Sequence, residues 1–167
     1  DLDSPLVPLC DQAAVDKEAD EWAVLWQEAA EYQHPIFAGS HAPLAALLPE
    51  AIVLAAQSFP IGTGLGADNI SPRAFTRLSK SALTALAILF MAFEAVGGWC
   101  KTLDLVLIVL LPKATGGFRP IGLFPTLIRI WMRSRYGLAK AWQATHSLPV
   151  TFGGAGRSAG HAAWQAA

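Results

Sequence analysis

The feature that most limits the fold of this chain is a change of hydrophobic period at Leu105. Residues 105–111 form an unbroken aliphatic run, which is typical of a short strand covered on both faces. Residues 113–117 read Lys-Ala-Thr-Gly-Gly, which is turn chemistry. Residues 118–123 can return as an antiparallel strand, where Pro120 favours an edge position or a brief pairing. The sequence therefore predicts one β-hairpin.

The segments around this hairpin have helical periods, with apolar residues every three or four positions. Serine before proline at Ser71-Pro72 suits a capped helix start, and Gly97-Gly98 suits a helix stop. The predicted helices span residues 11–32, 43–57, 72–97 and 125–142. The predicted fold class is therefore helix-rich α+β, with about four helices and one antiparallel β-hairpin.

The composition is apolar for a soluble protein, with 53% hydrophobic residues, 15% charged residues and a mean hydropathy of +0.39. This excludes a disordered chain. The most apolar helical run, residues 81–93, is shorter than the ~20 residues that cross a bilayer. The acidic N-terminal residues lack the basic start and apolar core of a secretory signal. We expect an intracellular protein that is not secreted, in a compartment the sequence does not specify, and no membrane partner.

Cysteine and histidine are not arranged as metal ligands. Cys10 and Cys100 lie far apart, and the four histidines occur singly. The paired cysteines or histidines at short spacing that structural zinc sites need are missing. No metal ligand and no cofactor is therefore predicted in this chain.

The charges are divided between the two parts of the chain. Residues 1–112 carry five basic and 13 acidic residues, a net charge of −8. Residues 113–167 carry seven basic residues and no acidic one. A basic segment can attract phosphates, with an affinity that falls as salt rises. The alternative is that it packs against the acidic part.

A glycine-rich loop precedes the predicted third helix. Residues 59–68 contain three glycines, which permit positive φ angles or a close backbone approach. The loop lacks the Gly-Lys-Ser/Thr ending of a phosphate-binding loop. Asp68 is a carboxylate in this loop, and its place beside Ser71-Pro72 predicts a turn or capping role rather than catalysis.

Several short motifs follow one another in a fixed order from residue 58. They are Gly66-Ala67-Asp68-Asn69-Ile70-Ser71-Pro72, Gly98-Trp99, Pro112-Lys113, Arg119-Pro120-Ile121 and a helix that starts at Pro125. This series resembles the reverse transcriptases of non-LTR retrotransposons. Residues 153–164 resemble the segment rich in glycine and alanine just before the palm of these enzymes. The resemblance covers residues 58–167 and is most specific in the hairpin.

The resemblance implies roles for five basic residues. Lys113 and Arg119 would contact the incoming nucleotide from the fingers, where cations balance a charged triphosphate. Arg129, Arg133 and Arg135 would contact phosphates of the template or primer. The alternative is that all five are ordinary solvated surface cations. Asp68 corresponds to no metal ligand of the family.

The resemblance also implies a division of the chain. Residues 1–57 would form a helical N-terminal extension, and residues 58–167 a partial reverse transcriptase domain, the fingers. The palm that bears the metal-binding carboxylates would be missing, and it would be the intramolecular partner of the fingers. We therefore expect no catalytic residue here and no polymerase activity of the isolated chain. Magnesium, RNA template, DNA primer and deoxynucleoside triphosphate would be bound by a full-length polymerase.

Two other functions remain open on the sequence alone. The basic segment could make the chain a non-catalytic module that binds nucleic acid. The apolar composition could instead indicate a helical scaffold protein or one associated with a membrane.

Overall fold

The computed structural model describes residues 11–26 and 43–147. These residues form five α-helices, two short 3-10 helices and one β-hairpin, so the predicted helix-rich α+β class is confirmed. More helices are present than the four expected. The α-helices are α1 (Gln12–Leu25), α2 (Pro49–Gln57), α3 (Lys80–Val96), α4 (Thr126–Ser134) and α5 (Tyr136–His146). The strands are β1 (Leu107–Pro112) and β2 (Phe118–Leu123), and the 3-10 helices are Pro72–Arg77 and Lys101–Leu103. Residues 27–32 of the predicted first helix and the segment 153–164 lie outside the described residues.

The predicted third helix is divided at Leu78, whose backbone is extended. Ser71 makes no side-chain cap, and the residues after it form only the short 3-10 helix. Ser79 begins α3 instead, because its hydroxyl accepts a hydrogen bond from the Ala82 amide at 3.2 Å. The helix ends as predicted at Gly97, whose φ of 74° is the left-handed conformation that glycine adopts without strain.

The predicted fourth helix is also divided. Arg135 separates α4 from α5 with φ −94° and ψ 0°. The hydroxyl of Ser134 donates to the Trp131 carbonyl at 2.8 Å, which offers this carbonyl a partner outside the regular helix. The basic residues of this region therefore lie on two helices rather than one.

The hairpin pairs six residues of each strand, with Leu107 opposite Leu123 and Pro112 opposite Phe118. Pro120 lies within the paired stretch, opposite Leu110. Proline has no N–H to donate, and it is tolerated here because each strand of a two-stranded sheet has an unpaired outer edge. The expectation that β1 is covered on both faces is wrong for the described residues, where only Leu110 of this strand is buried. One apolar cavity is lined by side chains of α1 and the hairpin, among them Trp22, Ile108, Leu110 and Pro120, and by Trp26 just after α1.

The core lies among α2, α3 and α4. Its buried members are Leu47, Ile52, Ala56, Phe59, Leu83, Ala87, Phe90 and Ile130. The cluster includes residues on both sides of position 57. Across residues 11–26 and 43–147, none of the helices combines the length and the apolar character that crossing a bilayer requires.

A largely buried ion pair joins α3 to the end of α4. Both carboxylate oxygens of Glu94 accept hydrogen bonds from the Arg135 guanidinium at 2.7 Å. The Trp131 indole N–H donates to the same carboxylate, also at 2.7 Å. The hydrogen bonds from Arg135 are the main reason that the pKa of Glu94 lies below its ordinary value, and they outweigh the opposing effect of burial.

This shift predicts a specific loss of stability in acid. A lowered pKa stabilises the folded state at every pH above the ordinary value of 4.5, and this contribution disappears as the pH falls through the lowered value. We expect the free energy of unfolding, measured by urea denaturation, to fall more steeply below about pH 4.5 than it does in the Glu94→Gln variant. Identical acid dependence of the two proteins would contradict the prediction.

Candidate functional site

The tip of the hairpin is a tight turn that glycine makes possible. The Lys113 amide donates to the Gly117 carbonyl at 3.0 Å, and the Gly116 amide donates to the Lys113 carbonyl at 3.1 Å. Gly116 and Gly117 have φ angles of 89° and 74°, which other residues rarely adopt. This geometry corresponds to the common three-residue hairpin loop in which a turn is followed by a left-handed residue. The strand ends at the tip are therefore fixed in register.

The register places the two predicted nucleotide-binding residues on one face. Arg119 pairs with Leu111, and residues directly opposite in an antiparallel pair point to the same side. Lys113 follows the last residue of β1, but its amide still pairs with Gly117 in the same register, so the alternation of the strand extends to Lys113 and places it on that side as well. Both side chains are exposed, and neither pairs with another side chain in the described part of the protein. The residues that line the cavity with α1 lie on the opposite face.

Asp68 joins the glycine-rich loop to the start of α4. One carboxylate oxygen accepts a hydrogen bond from the Thr126 amide at 2.6 Å, and the Thr126 hydroxyl donates to the Ile70 carbonyl at 2.6 Å. A carboxylate is favourable at a helix N-terminus, where amides lack partners. The other oxygen accepts from the Ile70 amide at 3.3 Å. The predicted turn or capping role of Asp68 is confirmed, but the helix it caps begins 58 residues later.

Arg129 and Arg133 converge on one aromatic ring. Their guanidinium carbons lie 5.3 Å and 4.8 Å from the centroid of the Phe59 ring, within the range of a cation–π contact. Arg129 also donates to the Gly64 carbonyl at 2.7 Å, which fixes its side chain against the glycine-rich loop. The structure therefore brings together two of the three arginines for which a nucleic-acid contact is predicted.

Arg135 lies apart from this pair and has a different role. All three of its guanidinium nitrogens donate within the protein, two to Glu94 and one to the Ala45 carbonyl at 2.8 Å. Only 12% of its side chain is exposed. This geometry gives Arg135 a structural role in joining α3, α4 and the segment before α2.

Beside Arg129 and Arg133 lies a groove of about 290 Å³ that the sequence interpretation missed. It is lined by Phe59, Phe124, Arg129, Met132, Arg133 and Tyr136. A signal was present in the sequence, because positions 129, 133 and 136 have the spacing of one helix face. Phe59 could not be found in this way, since it lies 70 positions before Arg129, and Phe124 lies before the helix begins.

The described residues do not form a metal site. In the ranges 11–26 and 43–147, no three side chains of His, Cys, Asp or Glu come close enough to hold a metal ion. The side chains at the hairpin tip and around the groove are cations, aromatic rings and apolar groups, which suit anionic and planar ligands.

Compared with known proteins, the chain matches no family model, and no characterised protein matches its sequence.

Proposed function

We propose that this chain supplies the fingers of a reverse transcriptase of the non-LTR retrotransposon type, which contact the nucleotide and the template. The observation that carries the proposal is the hairpin tip, where Lys113 and Arg119 point to the same side. Neither cation has a carboxylate partner among the described residues. The order of the motifs along the chain supports the same assignment.

The chemistry of the two residues suits a triphosphate. Lysine is a compact point charge on a flexible stem, whereas arginine offers a planar fork of donors that matches phosphate oxygens. The tight turn at Gly116 and Gly117 fixes the backbone that carries both. Because the backbone is already fixed, binding a ligand costs little free energy for ordering it.

In the proposed enzyme, the chemical step is carried out by a palm domain and not by the residues described here. Phosphoryl transfer by polymerases needs carboxylates that hold two metal ions about 4 Å apart. The described residues provide no such group. In the proposed enzyme a palm domain would hold magnesium and the primer end, and these fingers would hold the nucleotide and the RNA template.

The Lys113→Ala, Arg119→Ala double variant loses two contacts, together about 2 kcal/mol, and is expected to bind a deoxynucleoside triphosphate about thirtyfold more weakly than the natural chain. Each exposed charge-assisted contact contributes on the order of 1 kcal/mol, and about 1.4 kcal/mol corresponds to a factor of ten. Fluorescence anisotropy with a labelled triphosphate measures the affinity at low salt.

A matched control removes the same charge elsewhere. Lys80 and Lys101 are exposed and lie outside the hairpin, so the Lys80→Ala, Lys101→Ala variant should keep most of the affinity. Equal losses in the two double variants would show a nonspecific charge effect. Unchanged binding by the hairpin variant would contradict the proposal.

A further inference from the structure

The groove beside Phe59 contains a positive charge that the described part of the protein does not balance. Arg129 and Arg133 are four positions apart on α4, where like charges repel. Neither forms an ion pair with a carboxylate of the described residues. The one hydrogen bond that Arg129 makes there through its guanidinium goes to a neutral carbonyl. Two cations held together in this way favour an anionic ligand.

The remaining walls of the groove are apolar and open. Phe59 belongs to the buried core and presents its ring to both arginines. Phe124, Met132 and Tyr136 are 43%, 50% and 57% exposed, which is high for side chains of this size. A ligand that fits must therefore combine negative charge with flat apolar surface.

We propose that this groove binds a single nucleic-acid strand, with a base stacked on Tyr136 and the adjoining phosphates held by Arg129 and Arg133. A duplex offers phosphates but keeps the faces of its bases stacked inside, whereas a single strand offers both. An acidic peptide offers charge without flat aromatic surface. The inference rests on the proposed function, since it makes the groove the contact of the fingers with unpaired template.

The test uses fluorescence anisotropy of the 167-residue chain with labelled oligouridine and oligothymidine. Tyr136→Ala should weaken the binding of both strands about tenfold, the loss typical of removing one stacking platform. Tyr136→Phe keeps the ring and should bind as the natural chain does.

Arg133→Gln should weaken binding and reduce the slope of log affinity against log salt by roughly 0.7, as expected for one lost phosphate contact. A preference between the two strands would identify RNA or DNA as the natural ligand.

Trp142→Ala is the matched control, because Trp142 is an aromatic residue of α5 that is 63% exposed and does not line the groove. Strand affinity that is unchanged by Tyr136→Ala and Arg133→Gln would overturn the inference. So would equal affinity for a duplex of the same sequence, or displacement of the strand by polyglutamate at the same concentration as by unlabelled oligouridine.

The triphosphate assay separates this inference from the proposed function. If the hairpin variant loses triphosphate affinity while the groove variants keep their strand affinity, only the groove assignment fails. If the groove variants lose strand affinity while the hairpin variant keeps its triphosphate affinity, the groove assignment stands and the nucleotide role of the fingers fails.

Discussion

Glu94→Gln is expected to lower the free energy of unfolding at neutral pH by about 3 kcal/mol, as is typical when one partner of a buried ion pair is removed. Glutamine can still accept a hydrogen bond from the Trp131 indole. It leaves the Arg135 guanidinium without a counter-charge in a site where only 12% of that side chain is exposed. Urea denaturation followed by circular dichroism measures the change.

Two further variants make this expectation specific. Glu50→Gln changes an exposed glutamate in the first turn of α2 and should cost less than about 0.5 kcal/mol. Adding Arg135→Met to Glu94→Gln removes the unpaired charge and should restore much of the loss. A Glu94→Gln protein as stable as the Glu50→Gln protein would show that the ion pair does not join the helices in solution.

Gly66→Ala is expected to destabilise the fold by about 3 kcal/mol, at the upper end for overpacking, because the obstacle is backbone. A methyl group at this position would lie 2.4 Å from the Phe124 carbonyl oxygen and 3.3 Å from the Cα of Pro125. The chain must then open where β2 passes into α4, which also strains the hydrogen bond between Asp68 and Thr126. Urea denaturation again provides the measurement.

Gly62→Ala is the control in the same loop. A methyl group there meets nothing within 4 Å, so the variant should be as stable as the natural chain or slightly more stable. Gly66 does not have a positive φ, so the difference between the two variants reports steric contact rather than backbone strain. Equal stability of the two variants would mean that the loop does not pack closely on the start of α4.

The hairpin could be predicted from sequence because its determinants are local. The aliphatic run, the Lys-Ala-Thr-Gly-Gly turn and the returning strand lie within 20 residues, and β2 has the predicted bounds. The sequence analysis predicted single helices across Leu78 and Arg135. Hydrophobic periodicity alone does not reveal where a helix is interrupted and capped again, as at Ser79. The packing of α2 against α3 and α4 could not be predicted for a related reason, since the residues that meet there lie far apart along the chain.

The roles of the basic residues around the groove also depend on contacts between residues far apart in sequence. Composition identified the basic residues, but only contacts over long distances distinguish their roles. Arg135 meets Glu94, 41 positions earlier, and becomes part of the fold. Arg129 and Arg133 meet the ring of Phe59 and stay at the surface of a groove.

The position of the hairpin outside the core has a consequence for how this protein can change over evolutionary time. Leu110 is the one hydrophobic residue of β1 and β2 that is buried, whereas α2, α3 and α4 contain most of the buried cluster. Substitutions at the exposed tip therefore affect stability little, and most surface substitutions change it by less than about 0.5 kcal/mol. Residues at the hairpin tip can therefore vary while the helices are held constant by packing.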